Sequence, residues 1–221
     1  MMPGPRIIIF DLDGTLVDSS IGILASLENA FRLAEVDPVQ PLHASLIGPP
    51  LRETVTLLAP RQSISKVDQI IAAFKSIYDS SGYLATKAYP DVSIMLSTLK
   101  SSGFRLHIAT NKRATPTHLI LSSLGWNDFF ESVYSPDSVL PATASKAELI
   151  TIQLDRECLS CHQTLYVGDR LEDWHSAQAN GLCFAWAHWG FGADHTVFPE
   201  DIITLPTPES LTAFLGISFP G

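Results

Sequence analysis

Apolar residues fall along this chain in two rhythms. Short unbroken runs at 6–10, 104–109 and 164–167 each end in polar residues or glycine, which is the format of strands buried on both faces of a parallel sheet. A fourth run, 182–187, has the same length but carries aromatic residues that also suit a helix. Between these runs, stretches 92–102, 115–124, 146–154 and 171–180 show helical spacing, with Gly103, Gly125 and Gly181 as C-terminal stops. Strands alternating with helices predict an α/β fold: a parallel sheet with helices on both faces. Ligands of such sheets bind beyond the carboxyl ends of the strands. The polar clusters that follow the first three runs sit at those ends.

The alternation fails between 19 and 87. There the apolar residues recur at spacings of three and four, as Ile23, Leu24, Leu27, Ala30, Phe31 and Ala34, then Val67, Ile70, Ile71, Phe74 and Ile77. This predicts a core of residues 1–18 and 88–221 with an α-helical insertion over 19–87. Tyr89-Pro90-Asp91 reads as the turn back into the core. Beyond Phe198 only a tail containing proline and threonine is evident.

Composition narrows the function classes. With 46% hydrophobic and 17% charged residues in 221, the chain has material for a substantial core. A formal net charge of -9 argues against nucleic acid or an anionic membrane as partner, since both are bound through basic patches. The apolar run that ends at Phe10 is too short for a signal-peptide core or a membrane span, so the expectation is a cytoplasmic protein, monomer or homodimer. Cys158, Cys161 and His162 spell a haem-attachment pattern, but without an export signal they read as loop residues with reduced thiols.

The chemistry concentrates after the strands. In Asp11-Leu12-Asp13-Gly14-Thr15 the two aspartates lie two apart on extended backbone and can face one side, where a hard divalent cation such as Mg2+ would relieve their repulsion. A solvated turn is the plain alternative. Gly168-Asp169-Arg170-Leu171-Glu172-Asp173 is a second acidic cluster, whose carboxylates are expected in the first turn of a helix, where they also serve as caps. Thr110-Asn111 offers a hydroxyl and amides to phosphoryl oxygens, and Lys146 opens a helix with a positive charge.

The order D-x-D-G-T, T-N, K, G-D-x-x-x-D resembles the haloacid dehalogenase superfamily from Asp11 to Asp173. The resemblance implies a Rossmann-like core with a small α-helical cap. It also implies Mg2+-dependent hydrolysis of a small phosphorylated metabolite through an aspartyl-phosphate. Asp11 is then the nucleophile and Asp13 the acid and base, while Thr110 and Lys146 stabilise the phosphoryl oxygens. Asp11, Asp13 (through its backbone carbonyl), Asp169 and Asp173 hold the metal, and Thr15 and Asn111 join the phosphate site. Ile47-Gly48-Pro49-Pro50-Leu51 is similar to the cap loop of phosphoglycolate phosphatase-like members, so Gly48 and the following Arg52 are candidates to meet the substrate, with 2-phosphoglycolate the candidate itself. Asp13 argues against dehalogenation, because members acting on carbon-halogen bonds lack that aspartate. A phosphosugar mutase of the same superfamily and a catalytically silent binding protein are the alternatives. Ala147 and Arg170 depart from the usual pattern, and Arg170 either weakens the metal site or assists an anionic substrate.

Overall fold

The computed structural model describes residues 5–143, 145–192, 198–199 and 202–219. Met1 to Gly4, at the start of the expected core, lie outside the described residues. In chain order the elements are β1 (Ile7–Phe10), β2 (Val17–Asp18), α1 (Ser20–Leu33), α2 (Leu51–Leu58), α3 (Ile64–Ser80), β3 (Lys87–Ala88), α4 (Val92–Ser101), β4 (Arg105–Ala109), α5 (Ala114–Ser123), β5 (Ser132–Tyr134), α6 (Lys146–Arg156), β6 (Thr164–Gly168), α7 (Leu171–Ala179), β7 (Cys183–Ala187), β8 (Ile203–Leu205) and α8 (Pro208–Phe214).

Six strands form one parallel sheet in the order β5-β4-β1-β6-β7-β8. Side chains of a strand alternate between faces, and β1 shows the consequence. Ile8 and Phe10 enter a core with Met95, Leu96 and Leu99 of α4, while Ile7 and Ile9 enter a second core with Leu149 and Ile150 of α6. Helices therefore cover both faces, the α/β architecture that the alternation predicts. Because the chain runs outward from β1 through β4 to β5 and then returns to β6 on the other side of β1, the order reverses at β1. Phe10 pairs in register with Ile108 and with Val167, so the segments leaving β1, β4 and β6 emerge side by side into one crevice.

The helices of 19–87 keep a core of their own, with Leu27 and Phe31 of α1, Val55 and Leu58 of α2, and Ile70 and Phe74 of α3 buried together. The chain leaves and re-enters through β2 and β3, which pair antiparallel at Val17 with Ala88 and Asp18 with Lys87. Two elements correct the expectation of a plain tail: Ile203–Leu205 adds the last strand and Pro208–Phe214 forms a helix whose Leu211 is fully buried. Pro208 occupies the first turn of α8, where its missing N–H costs nothing. Among the described residues no helix is long and apolar enough to cross a membrane.

Candidate active site

The loop after β1 is built around Gly14, whose φ of +88° lies in the left-handed region that glycine tolerates. A Cβ at this position would fall 2.4 Å from Asp169 Oδ2, so glycine also admits the second acidic loop against the first. Two tryptophans brace the same place. Trp189 Nε1 donates to Thr15 O at 2.9 Å and Trp186 Nε1 donates to Asp169 O at 3.2 Å. Both residues look like core in the sequence; their indole N–H groups hold the backbone of the acidic loops.

Carboxylate oxygens of Asp11, Asp169 and Asp173 lie within 4.8 Å of one another, and all three residues are buried. Lys146, at the start of α6, enters the group from the side. Its Nζ lies 3.0 Å from Asp11 Oδ1 and donates a short hydrogen bond to Asp173 Oδ1. The ammonium approaches Asp11 as an ion pair outside hydrogen-bonding alignment, which leaves Asp11 Oδ1 buried without a hydrogen-bond partner.

Burial, opposed by Lys146 and reinforced by Asp173 and Asp13, pushes the Asp11 carboxyl up to about 7. Asp169 is likewise raised well above the usual carboxylate range by burial and by Asp173 and Asp11. For Lys146, burial works against the charge, but Asp11 and Asp173 outweigh it and hold the ammonium protonated.

Asp169 does not lie in the helix as the spacing suggested. It precedes Arg170, the N-terminal cap of α7, and only Asp173 belongs to the first turn, where it also accepts from Arg170 N at 3.0 Å. The two carboxylates still converge because the strand end aims one and the helix start aims the other.

Fully ionised, three carboxylates facing one ammonium would leave an excess of two negative charges in a buried pocket, and it is against that charge that Asp11 and Asp169 hold their protons. Such a charge is costly unless compensated, and a hard divalent cation with oxygen ligands is the group that matches it. Asp11 Oδ1, met by the ammonium without an aligned hydrogen bond, is open to the same cation.

Asp13 stands apart from this cluster. Both of its oxygens receive Lys112 Nζ, at 3.0 and 2.8 Å, and Ser19 Oγ donates to Oδ1 at 2.6 Å. The Lys112 side chain is buried, its Nζ lies 4.8 Å from the centroid of the Tyr78 ring of α3, and Asp13 keeps it protonated against the effect of burial. In the sequence, a lysine two residues past a strand looks like any solvated residue. Its one signal was its place directly after Thr110-Asn111.

The remaining candidates separate. Thr110 is buried at the end of β4, and its Oγ1 accepts from Lys112 N at 3.2 Å. Thr15 donates to Asp169 Oδ1 at 3.3 Å, so its hydroxyl orients a carboxylate. Asn111 Nδ2 donates to Gly48 O and to Glu172 Oε1, each at 3.0 Å, and so ties the helical insertion to the sheet. Gly48, at φ +124°, lies against Arg170, where a Cβ would meet Cδ at 2.4 Å. Arg170 donates to Ile47 O at 2.5 Å and to Ser45 O at 3.1 Å, which gives it a tethering contact that its sequence position alone did not reveal. Arg52 is not brought to the crevice; it is exposed and ion-pairs with Asp68 on α3.

A cleft of about 100 Å³ opens between the helical insertion and the sheet, with Asp13, Lys112, Asn111 and Gly48 in its lining.

A doubly wound parallel sheet carrying a buried carboxylate cluster at its switch point, under a helical insertion, defines the class. Residues 8–187 match the haloacid dehalogenase-like hydrolases, and the chain belongs to that family. It is 30% identical over 189 residues to the tyrosine-protein kinase PtkA of Mycobacterium tuberculosis, a match covering 85% of this chain and 64% of that protein. The chain thus spans less than two thirds of the length of those relatives. Identity to a phosphoglycolate phosphatase of Aquifex aeolicus is 27% over 212 residues, covering 95% of this chain and 96% of that one. Among solved structures, a haloacid dehalogenase-like hydrolase from Streptococcus pneumoniae is similar with a TM-score of 0.82 and 28% identity, over 96% of this chain and 98% of that chain.

Proposed function

We propose that this chain is a Mg2+-dependent phosphomonoesterase that hydrolyses a small phosphorylated metabolite through an aspartyl-phosphate on Asp11. The observation that carries the reading is the Asp11 carboxylate, buried at the strand switch point beside Asp169 and Asp173 and ion-paired with Lys146. In the forward step an Asp11 oxygen attacks phosphorus. The bond to the alcohol oxygen breaks, and that oxygen takes up a proton held by the Asp13–Lys112 pair and delivered through Asp13. In the second step Asp13 receives a proton from water as that water attacks the phosphorus, which frees Asp11 and releases inorganic phosphate. Lys146 and the Thr110 hydroxyl hold the phosphoryl oxygens. Asp11, Asp169, Asp173 and the Asp13 backbone carbonyl would hold Mg2+, which supplies charge neutralisation to the phosphoryl group.

Residues 19–87 act in this reading as a cap on a core of 1–18 and 88–221. The β2–β3 pair is its double stalk, and Asn111 and Arg170 are the core's contacts with its Gly48 loop. Closing it over the site excludes bulk water from the phosphoenzyme until the alcohol has left. The kinship with a phosphoglycolate phosphatase makes 2-phosphoglycolate one candidate substrate.

The test is the initial rate of phosphate release, with and without Mg2+, from an aryl phosphate, phosphosugars, nucleoside monophosphates, pyrophosphate and 2-phosphoglycolate. Release that needs Mg2+ and falls at least about 1000-fold in Asp11→Asn is expected, the scale of losing a nucleophile. Equal rates in Asp11→Asn would contradict the assignment.

A further inference from the structure

The cleft beside Asp13 has an apolar wall. Ile23 and Leu27 of α1, Leu46 and Ile47 of the Gly48 loop, Leu51 of α2 and Phe74 of α3 line it, all from the helical insertion. Its polar end is Asp13 with Lys112, and Asp13 is the group that, in the reading above, protonates the departing oxygen. On that reading, the cleft is where the alcohol part of the substrate sits.

The cations on its lining are already neutralised. Lys112 gives its ammonium to both oxygens of Asp13, and Arg113 is bound to Asp79 through two hydrogen bonds of 3.0 and 2.6 Å. Arg170, behind the loop, spends its guanidinium on the carbonyls of Ile47 and Ser45. The Tyr78 hydroxyl, buried in the lining without a hydrogen-bond partner, offers a neutral donor but no charge, so a carboxylate on the alcohol part would lose its hydration next to the Asp13 carboxylate with no cation to compensate, which is unfavourable. An alkyl or aryl group gains from the same surroundings. The volume, about 100 Å³, is of the order of the ~150 Å³ apolar cavity that accepts a benzene ring.

We infer that the apolar cleft formed by Ile23, Leu27, Leu46, Ile47, Leu51 and Phe74 selects phosphomonoesters whose alcohol is a short uncharged alkyl or single-ring group, over those with a second anionic group. This rests on the phosphomonoesterase reading and narrows its substrate class.

Isobutyl phosphate and 2-phosphoglycolate test it, because the isobutyl group matches the carboxymethyl group in shape and lacks its charge. With the Mg2+-loaded full chain, kcat/KM for isobutyl phosphate should exceed that for 2-phosphoglycolate by at least about tenfold, the discrimination that a pocket of this kind supports. A ratio near one, or a preference for 2-phosphoglycolate, overturns the inference and leaves the phosphatase reading standing. Ile23→Lys places a free cation in the wall and should shift the ratio toward 2-phosphoglycolate by at least about tenfold. Leu51→Lys repeats the substitution from α2 should circular dichroism show Ile23→Lys unfolded. An unchanged ratio in a folded variant removes the cleft as the alcohol site. Phosphate release from neither ester nor from an aryl phosphate above the Asp11→Asn level would overturn the inference and the reading together.

Discussion

Asp13 shows how one carboxylate is set apart from the three that cluster beside it. Lys112 neutralises it and Ser19 orients it, so it faces the cleft while Asp11, Asp169 and Asp173 face one another. Removing one partner of a buried ion pair leaves the other charge uncompensated, at a cost of roughly 3–5 kcal/mol. Lys112→Met is thus expected to lower unfolding free energy by about 3 kcal/mol, and Lys112→Met with Asp13→Leu to recover most of that. Urea denaturation of the two variants checks this. A Lys112→Met protein as stable as the parent would show the pair to be incidental. At this scale the sequence revealed the carboxylates, because their spacing after strands is a local pattern. It hid Lys112, the tethering contacts of Arg170 and the bracing by the two tryptophans, because the partners lie elsewhere in the chain: Asp13, the carbonyls of Ser45 and Ile47, Thr15 and Asp169.

The elements divide between those that place the site and those that cover it. β1, β4 and β6 end level with one another and deliver Asp11, Thr110 and Asp169, while α6 and α7 deliver Lys146 and Asp173 at their first turns. α1 to α3 bury their apolar residues in a core separate from the sheet's. Since Val17 and Ala88 are paired neighbours, replacing 19–87 by a short turn is geometrically feasible. That truncation is expected to retain slow hydrolysis of an aryl phosphate and to lose discrimination among alcohol groups. Circular dichroism and a kcat/KM panel check it, and unchanged discrimination in a folded truncation would deny the insertion its role as cap.

β1, β4 and β6 are legible because each buries a contiguous run, and their helices because each shows a helical face, whereas β7 is ambiguous: its aromatics also suit a helix, and Cys183 is exposed with Trp186 only partly buried. β5 is not legible, since three residues are too few to display a period, and Ser132 and Val133 are only partly buried. β8 and α8 were hidden by the proline and threonine around them; α8 is anchored through one buried leucine and a capping threonine, not through a continuous apolar stripe.

For the molecule as a whole, the site is a concentration of buried charge that folding must tolerate. Asp11, held near 7 in the folded protein against about 3.8 for an ordinary aspartate, keeps a proton between those values that the unfolded chain has released. The folded state then binds more protons than the unfolded one, so metal-free stability from this group is highest below about pH 4 and falls as pH rises toward 7. Asp169 is raised in the same direction and acts with the same sign. A cation bound by these carboxylates competes with their protons, so Mg2+ is expected to raise Tm more at pH 8 than at pH 5. Thermal denaturation with and without Mg2+ at the two values tests this, and an equal shift at both would contradict the cluster's assignment as the cation site.

The central claim is a covalent bond between Asp11 and phosphorus, and acid quenching during turnover of an aryl phosphate tests it most directly. Mass spectrometry of the quenched chain should find one phosphoryl group, labile to hydroxylamine, on the peptide carrying Asp11, and none in Asp11→Asn. A chain that turns over substrate without that adduct, or carries it on another residue, would contradict the account.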